Sequence, residues 1–105
     1  MPGPPYIQTN GQTFTLNLTA GDAPLAIIGG GPGAKWACTI IIRASVNNSS
    51  TPCLWGFNSA QQELAPGEGV AVDIPMGALI DLQSLHFSGN GSTGQVVFVS
   101  AVLIP

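Results

Sequence analysis

A cluster of glycines at residues 29–34 follows the apolar run Leu25–Ile28 and comes close to a nucleotide-binding motif. In dinucleotide-binding enzymes such a loop opens a helix whose N-terminal amides hold the pyrophosphate, and an acidic residue about 20 positions later binds the ribose. Here the glycines precede WACTIIIRASV, whose β-branched residues predict a strand, and residues 47–57 contain no carboxylate. Lys35 is followed by Trp36 and not by Ser or Thr, which also excludes a phosphate-binding P-loop. We therefore expect a connecting loop and no cofactor.

The only histidine, His86, lies two residues after Ser84, so on a strand the two side chains would share a face like a nucleophile and its base. A catalytic triad also needs a group that orients the histidine, and Asp81 lies in the opposite alternation. The sequence contains no nucleophile-elbow or oxyanion motif. We therefore interpret His86 as a structural residue and expect a protein that is not an enzyme, with no catalytic residues.

The two cysteines, Cys38 and Cys53, could take part in a metal site or a disulfide bond. Together with His86 they match no zinc pattern, and the scattered carboxylates lack the spacing of a calcium loop, so no metal site is expected. If residues 36–46 and 53–57 form a hairpin, Cys53 lies roughly 23 Å along the strands from Cys38, beyond disulfide reach. Free buried thiols are expected, but a bridge stays open because strands adjacent in sequence need not pair. The carboxylates are Asp22, Glu63, Glu68, Asp73 and Asp81.

The tryptophans decide whether the chain has a sugar-binding platform, because such platforms need exposed rings. Trp36 shares its alternation with Ile40 and Ile42, and Trp55 shares its alternation with Phe57. Both tryptophans are therefore predicted to be core residues. Carbohydrate binding remains an alternative function, by analogy with other small β-sandwiches.

The elements that must position these residues are strands, since apolar residues alternate and no helical periodicity is sustained. Eight short strands punctuated by Gly and Pro predict an all-β protein, an antiparallel β-sandwich or jelly roll. The predicted strands include 13–19, 36–46, 53–57, 69–75, in which Val70, Val72 and Ile74 are in phase, and 96–104.

The connections carry further expectations. Asn10-Gly11 is a hairpin turn signal, SAQQELAPGEG (59–69) predicts a polar loop, and a change of apolar phase in residues 78–89 predicts a bulge or bend near Gln83. GNGSTG (89–94) makes a tight connection into the last strand, whose nearly continuous apolar character fits cover on both faces. We expect another subunit to be one of those covers.

Length and charge bound the remaining classes of function. With 105 residues the chain is one domain, predicted as an extended Pro-rich arm at 1–5 and a sandwich at 6–105. Charged residues make up 7% of the chain, against about 25% in ordinary soluble domains. Lys35 and Arg43 are the only cations and the net charge is −3, which excludes nucleic acid as the ligand. The sequence shows no secretory signal and no apolar run long enough to span a membrane.

The general plan of the chain, in MPGPPYIQTNGQTFTLNLTAG and GNGSTGQVVFVSAVLIP, resembles small structural virion proteins of tailed bacteriophages, in particular the capsid decoration or cement class. The resemblance implies a homo-oligomer, often a trimer, made in the host cytoplasm and bound to the outer surface of the capsid. Its partners would be the major capsid protein and copies of itself, with no nucleic acid and no membrane. A phage tail, baseplate or fibre component and a carbohydrate-binding module are the alternatives.

The proline-rich arm is the predicted interface. Proline cannot enter a helix interior or the middle of a sheet, so this segment must lie along a surface. We expect it to reach a neighbouring subunit through Pro2, Pro4, Pro5 and Tyr6.

Overall fold

The computed structural model describes residues 10–25, 36–73 and 79–103. Within these ranges the chain forms nine β-strands and a 3₁₀ turn at Leu82–Ser84. The strands are β1 (Asn10–Asn17), β2 (Ala23–Pro24), β3 (Trp36–Ala44), β4 (Cys53–Phe57), β5 (Gln62–Leu64), β6 (Gly69–Asp73), β7 (Ile80–Asp81), β8 (Leu85–Ser88) and β9 (Val96–Leu103).

The strand pairing shows how the chain is wound. The antiparallel partners are β1 with β9, β2 with β8, β3 with β6 and β4 with β5, so the first half of the chain pairs with the second half as one long ribbon. The ribbon folds into a front sheet, β1-β9-β3-β6 with β7 also on β3, and a back sheet, β2-β8-β4-β5. This interleaving is the double Greek key of a jelly roll. The predicted all-β sandwich class is confirmed.

The core lies between the two sheets and is filled by alternate residues of their strands. In β1 and just after it, Leu16 and Leu18 are buried and Phe14 is half-buried, as the alternation predicted. The largest fully buried side chains come from both sheets: Phe87, Leu16, Ile40, Ile42, Leu64, Leu85, Gln95, Val97, Val99 and Cys53. The sheets therefore hold each other by apolar burial.

The predicted phase change near Gln83 is confirmed and has a clear structural basis. The 3₁₀ turn lies between β7 in the front sheet and β8 in the back sheet, so it carries the chain across the core. Asp81 caps the turn by accepting a hydrogen bond from the Gln83 amide at 2.9 Å, and the Ser84 hydroxyl donates to the Asp81 carbonyl at 2.7 Å. Apolar residues on both sides of the turn can therefore face the same core.

The loop between β3 and β4 also crosses between the sheets, and two amide side chains fix it to the start of β9. Asn48 donates to the Val96 carbonyl at 2.9 Å and accepts from the Val96 amide at 2.8 Å, as a neighbouring strand would. The Gln95 side chain, 1% exposed, accepts from the Ser49 amide at 2.9 Å and donates to the Thr51 carbonyl at 2.7 Å. Burial of these polar groups is compensated by their hydrogen bonds.

Two predicted connections are wrong because long-range pairing overrides the local turn signal. Asn10 and Gly11 lie inside β1 and pair with the far end of β9. The predicted polar loop at 59–69 contains strand β5, in which Leu64 is buried opposite Cys53 while its polar neighbours are exposed. The predicted strand at 69–75 is β6, with Val70 and Val72 half-buried; Ile74 lies outside the described residues.

The hairpin considered for residues 36–46 and 53–57 is not formed, because β3 belongs to the front sheet and β4 to the back sheet. Cys53 nevertheless has the expected free, buried thiol, and burial raises the pKa of that thiol. The side chain of Cys38 lies outside the described part. Strand β9 is covered by the protein core on its inner face only, because Ser100 on its outer face is exposed. The covering of its outer face by another subunit stays a prediction.

Candidate functional site

Two predicted features fall outside the described residues, namely the arm with Pro2, Pro4, Pro5 and Tyr6 and the glycine cluster at 29–34. The described segment that follows the glycines is strand β3, as the sequence predicted. Strand β3 therefore does not provide the helix N-terminus of a dinucleotide fingerprint.

Trp36 is not a core residue, contrary to the prediction. Its side chain is 48% exposed, whereas its neighbour Ala37 is fully buried. The pairing of β3 with β9 shifts between Ala37 and Thr39, so Cys38 is the additional residue of a β-bulge. A bulge inverts the alternation on one side, which turns Trp36 outward while Ile40 remains in the core.

Trp55 and Phe57 on β4 form the main aromatic feature of the back sheet. Trp55 is half-buried against the core, in partial agreement with its predicted core position, but Phe57 is 41% exposed at the end of the strand. Their rings are 6.0 Å apart and meet at 78°. They line an open groove of about 510 Å³, the aromatic groove, whose described lining is Trp55, Gly56, Phe57, Ser59, Gln61 and Gln62.

The β4–β5 loop forms one wall of the aromatic groove and is held by hydrogen bonds at both ends. The Asn58 amide donates to the Ser84 carbonyl at 2.7 Å, and the Gln61 amide donates to the Trp55 carbonyl at 3.1 Å. Gly56 lets the loop fold this closely, since a Cβ there would fall on the backbone oxygen of Ser59. The protein's own hydrogen bonds therefore hold this loop against β4 and the 3₁₀ turn.

Asp22, the residue before β2, also holds the β4–β5 loop in place. It accepts from the Ala60 amide at 3.1 Å and lies 2.6 Å from His86 Nδ1. Partial burial raises the pKa of Asp22, but the hydrogen bonds from Ala60 and His86 and the charge of His86 outweigh it and lower that pKa below its usual value. An ionised carboxylate can only accept, so Nδ1 of His86 carries the proton. The pair joins β2, β8 and the β4–β5 loop.

Ser84 does not share a strand face with His86, because it lies in the 3₁₀ turn and donates to the Asp81 carbonyl. The interpretation of His86 as structural stays a prediction, and its observed contact is the one with Asp22. Sequence reasoning missed Asp22, which is 64 residues from His86. Only the pairing of β2 with β8 brings the two together.

The outward side of the front sheet is here called the front face, and its described residues include two charged side chains, Arg43 and Asp73. Ile41 at its centre is 48% exposed, and Phe98 beside it is half-buried. Among the described residues the register places these side chains in three rows: Thr13, Ser100, Ile41 and Ala71; Thr15, Phe98, Arg43 and Gly69; Val102, Thr39 and Asp73.

The polar groups of the front face bond largely to each other. The hydroxyls of Thr13 and Ser100 are 3.2 Å apart, and Thr39 donates to Asp73 at 3.3 Å. Hydroxyls paired within the protein lose less when water is removed than free ones.

Residues 10–25, 36–73 and 79–103 show neither the side-chain grouping of a metal site nor a membrane-spanning helix. No group of three or more His, Cys, Asp or Glu side chains in these ranges is arranged to hold a metal ion. They contain no helix with the length and apolar character needed to cross a membrane.

No protein-family model, curated protein or solved structure matches the chain. The fold defines a jelly-roll β-sandwich, and its two distinctive surfaces are the front face and the aromatic groove.

Proposed function

We propose that the protein is a structural subunit that acts by assembly, as a decoration or cement protein on the outer surface of a phage capsid. In this role it forms homo-oligomers, with the trimer as the expected state, and contacts the major capsid protein. The observation that carries the assembly role is the front face, with exposed Ile41 at its centre.

An antiparallel sheet with one face in water normally carries polar side chains on that face. Here the two central strands, β9 and β3, bring Phe98, Val102 and Ile41 to the outward side, and Arg43 and Asp73 are the charged residues among the described members of the face. Exposed apolar side chains grouped on one face of a sheet in this way are typical of interaction sites in soluble proteins. Burial of such a face against a flat partner supports a stable contact.

The fold adds a second, weaker support. Jelly rolls are common in viral capsid proteins and also in lectins. This is an analogy of fold, so it fits the virion context without identifying the partner. A tail, baseplate or fibre subunit would use the same kind of surface.

The first experiment measures the oligomeric state of the full chain by sedimentation velocity. We expect a concentration-dependent oligomer, and Ile41→Lys should weaken it at least about tenfold because the new ammonium would lose water in the contact. Val46→Lys is the matched control, since Val46 is 76% exposed in the turn after β3 and lies outside the front face. A chain that stays monomeric at high concentration would overturn the assembly role.

The second experiment tests the partner. Labelled protein is mixed with phage particles that lack it, and co-sedimentation is measured with negative-stain imaging of the particles. Binding to the head supports the decoration role, and binding confined to the tail indicates the alternative virion position. If neither part of the particle is bound, the virion assignment is wrong even where self-association is found.

A further inference from the structure

We infer that the aromatic groove is a binding site for a neutral sugar unit. It lies on β4, β5 and their loop, which belong to the back sheet, whereas the front face belongs to the front sheet. The inference is therefore independent of the proposed assembly role.

The rings supply one half of the recognition. Trp55 and Phe57 meet at 78°, so they form a corner rather than a flat platform. The carbon-bound hydrogens on one side of a pyranose make an apolar surface that packs against an aromatic ring. Phe57 is 41% exposed, so part of its ring is accessible to such a ligand.

The polar lining supplies the other half. The exposed carboxamides of Gln61 and Gln62 make no hydrogen bond with the described residues. Each carboxamide offers a donor and an acceptor side by side, a pattern that matches neighbouring hydroxyls of a sugar. A groove that combines apolar surface with a few convergent polar groups is typical of small-ligand sites.

Charge selects among sugars. The described lining carries no charged side chain, although acidic residues lie near it: Glu63 follows Gln62 on β5, and Asp81 shares a neighbouring pocket with Phe57. With a net charge of −3 the chain repels acidic ligands. Sialylated and sulfated sugars are therefore disfavoured relative to neutral ones.

The groove is also largely preformed. The β4–β5 loop is bonded to Trp55, Ser84 and Asp22 through its backbone amides, so little ordering is needed when a ligand binds. Preorganisation of this kind raises affinity by lowering the entropic cost of binding.

The test uses the two tryptophans as internal reporters. In a ¹⁵N-labelled sample of the full chain the indole N–H groups give two signals, which Trp36→Phe assigns. Titration with a panel of neutral oligosaccharides, alongside sialylated and sulfated ones, should shift the Trp55 signal and leave the Trp36 signal unchanged. Phe57→Ala and Gln62→Ala should each weaken the binding by about tenfold.

The control variant is Gln83→Ala, because Gln83 is an exposed amide on the 3₁₀ turn, outside the groove. An unchanged Trp36 signal verifies that each variant is folded. The inference is wrong if no neutral sugar shifts the Trp55 signal, if Trp36 responds instead, or if Phe57→Ala binds like the parent. If an apolar dye shifted the Trp55 signal and no sugar did, the groove would instead be a docking site for apolar groups.

Discussion

Asp22 holds the β4–β5 loop and His86 at once, although its side chain is 42% exposed. We expect Asp22→Ala to lower the stability at neutral pH by about 0.5–1 kcal/mol, the range for an exposed pair, and the melting temperature by a few degrees. The measurement is thermal unfolding followed by circular dichroism. Glu63→Ala is the charge-matched control, as Glu63 is exposed on β5.

The pH dependence of this difference follows from the direction of the pKa shift. Because the folded pKa of Asp22 lies below its unfolded value, the stabilisation is fully present above the unfolded pKa and is lost as the pH falls through the folded one. The difference between the parent and Asp22→Ala should therefore shrink below about pH 4. A difference that stays constant in acid would show that the ionised carboxylate is not responsible.

The β-bulge at Cys38 explains why the sequence did not predict the exposure of Trp36. Alternation alone placed Trp36 with Ile40 in the core, and the bulge at Cys38 reverses that assignment. At this end of β3 the strand lies between β9 and β7, and Ala37 pairs with both of them. The bulge therefore depends on strands that are distant in sequence. No count of apolar residues within the segment reveals it.

At the scale of elements, the loop between β3 and β4 depends on Gln95. We expect Gln95→Ala to lower the free energy of unfolding by about 2–4 kcal/mol, because it leaves the Ser49 amide and the Thr51 carbonyl without their partner and opens a cavity. Urea unfolding measures the change. Gln83→Ala, at an exposed glutamine, should change the stability by less than about 0.5 kcal/mol. Equal effects of the two substitutions would contradict the role of Gln95.

The periodicity of the sequence was sufficient to predict β1, β3, β4, β6 and β9, the change of phase at the 3₁₀ turn and the sandwich class. These features depend on which side chains must be buried, which is a local property of a strand. Pairing is not local: β1 joins β9, and β3 and β4 lie in different sheets. The turn signal at Asn10-Gly11 and the polar composition of 59–69 were therefore misleading, and the pairing of Asp22 with His86 could not be foreseen.

At the scale of the whole molecule, the ribbon topology places the two proposed surfaces on opposite sheets. The front face is broad and bonded within itself, which suits contact with a protein. The aromatic groove is small and preformed, which suits a ligand. If both proposals hold, assembly and ligand binding use different residues, because no described residue of the front face lines the groove.

The composition of the front face determines which interaction should drive the assembly. Because Ile41, Phe98 and Val102 lie at the middle of the front face and Arg43 and Asp73 are its charged residues among those described, contact should depend on apolar burial more than on ion pairs. We expect the self-association constant to change less than about threefold between low and high sodium chloride, and to rise with sodium sulfate, which strengthens apolar burial. Sedimentation velocity at each salt concentration measures the constant, with Ile41→Lys as the weakened reference. A steep loss of association in sodium chloride would instead assign the contact to Arg43 and Asp73, and the front face would then act through its charges and not through Ile41 and Phe98.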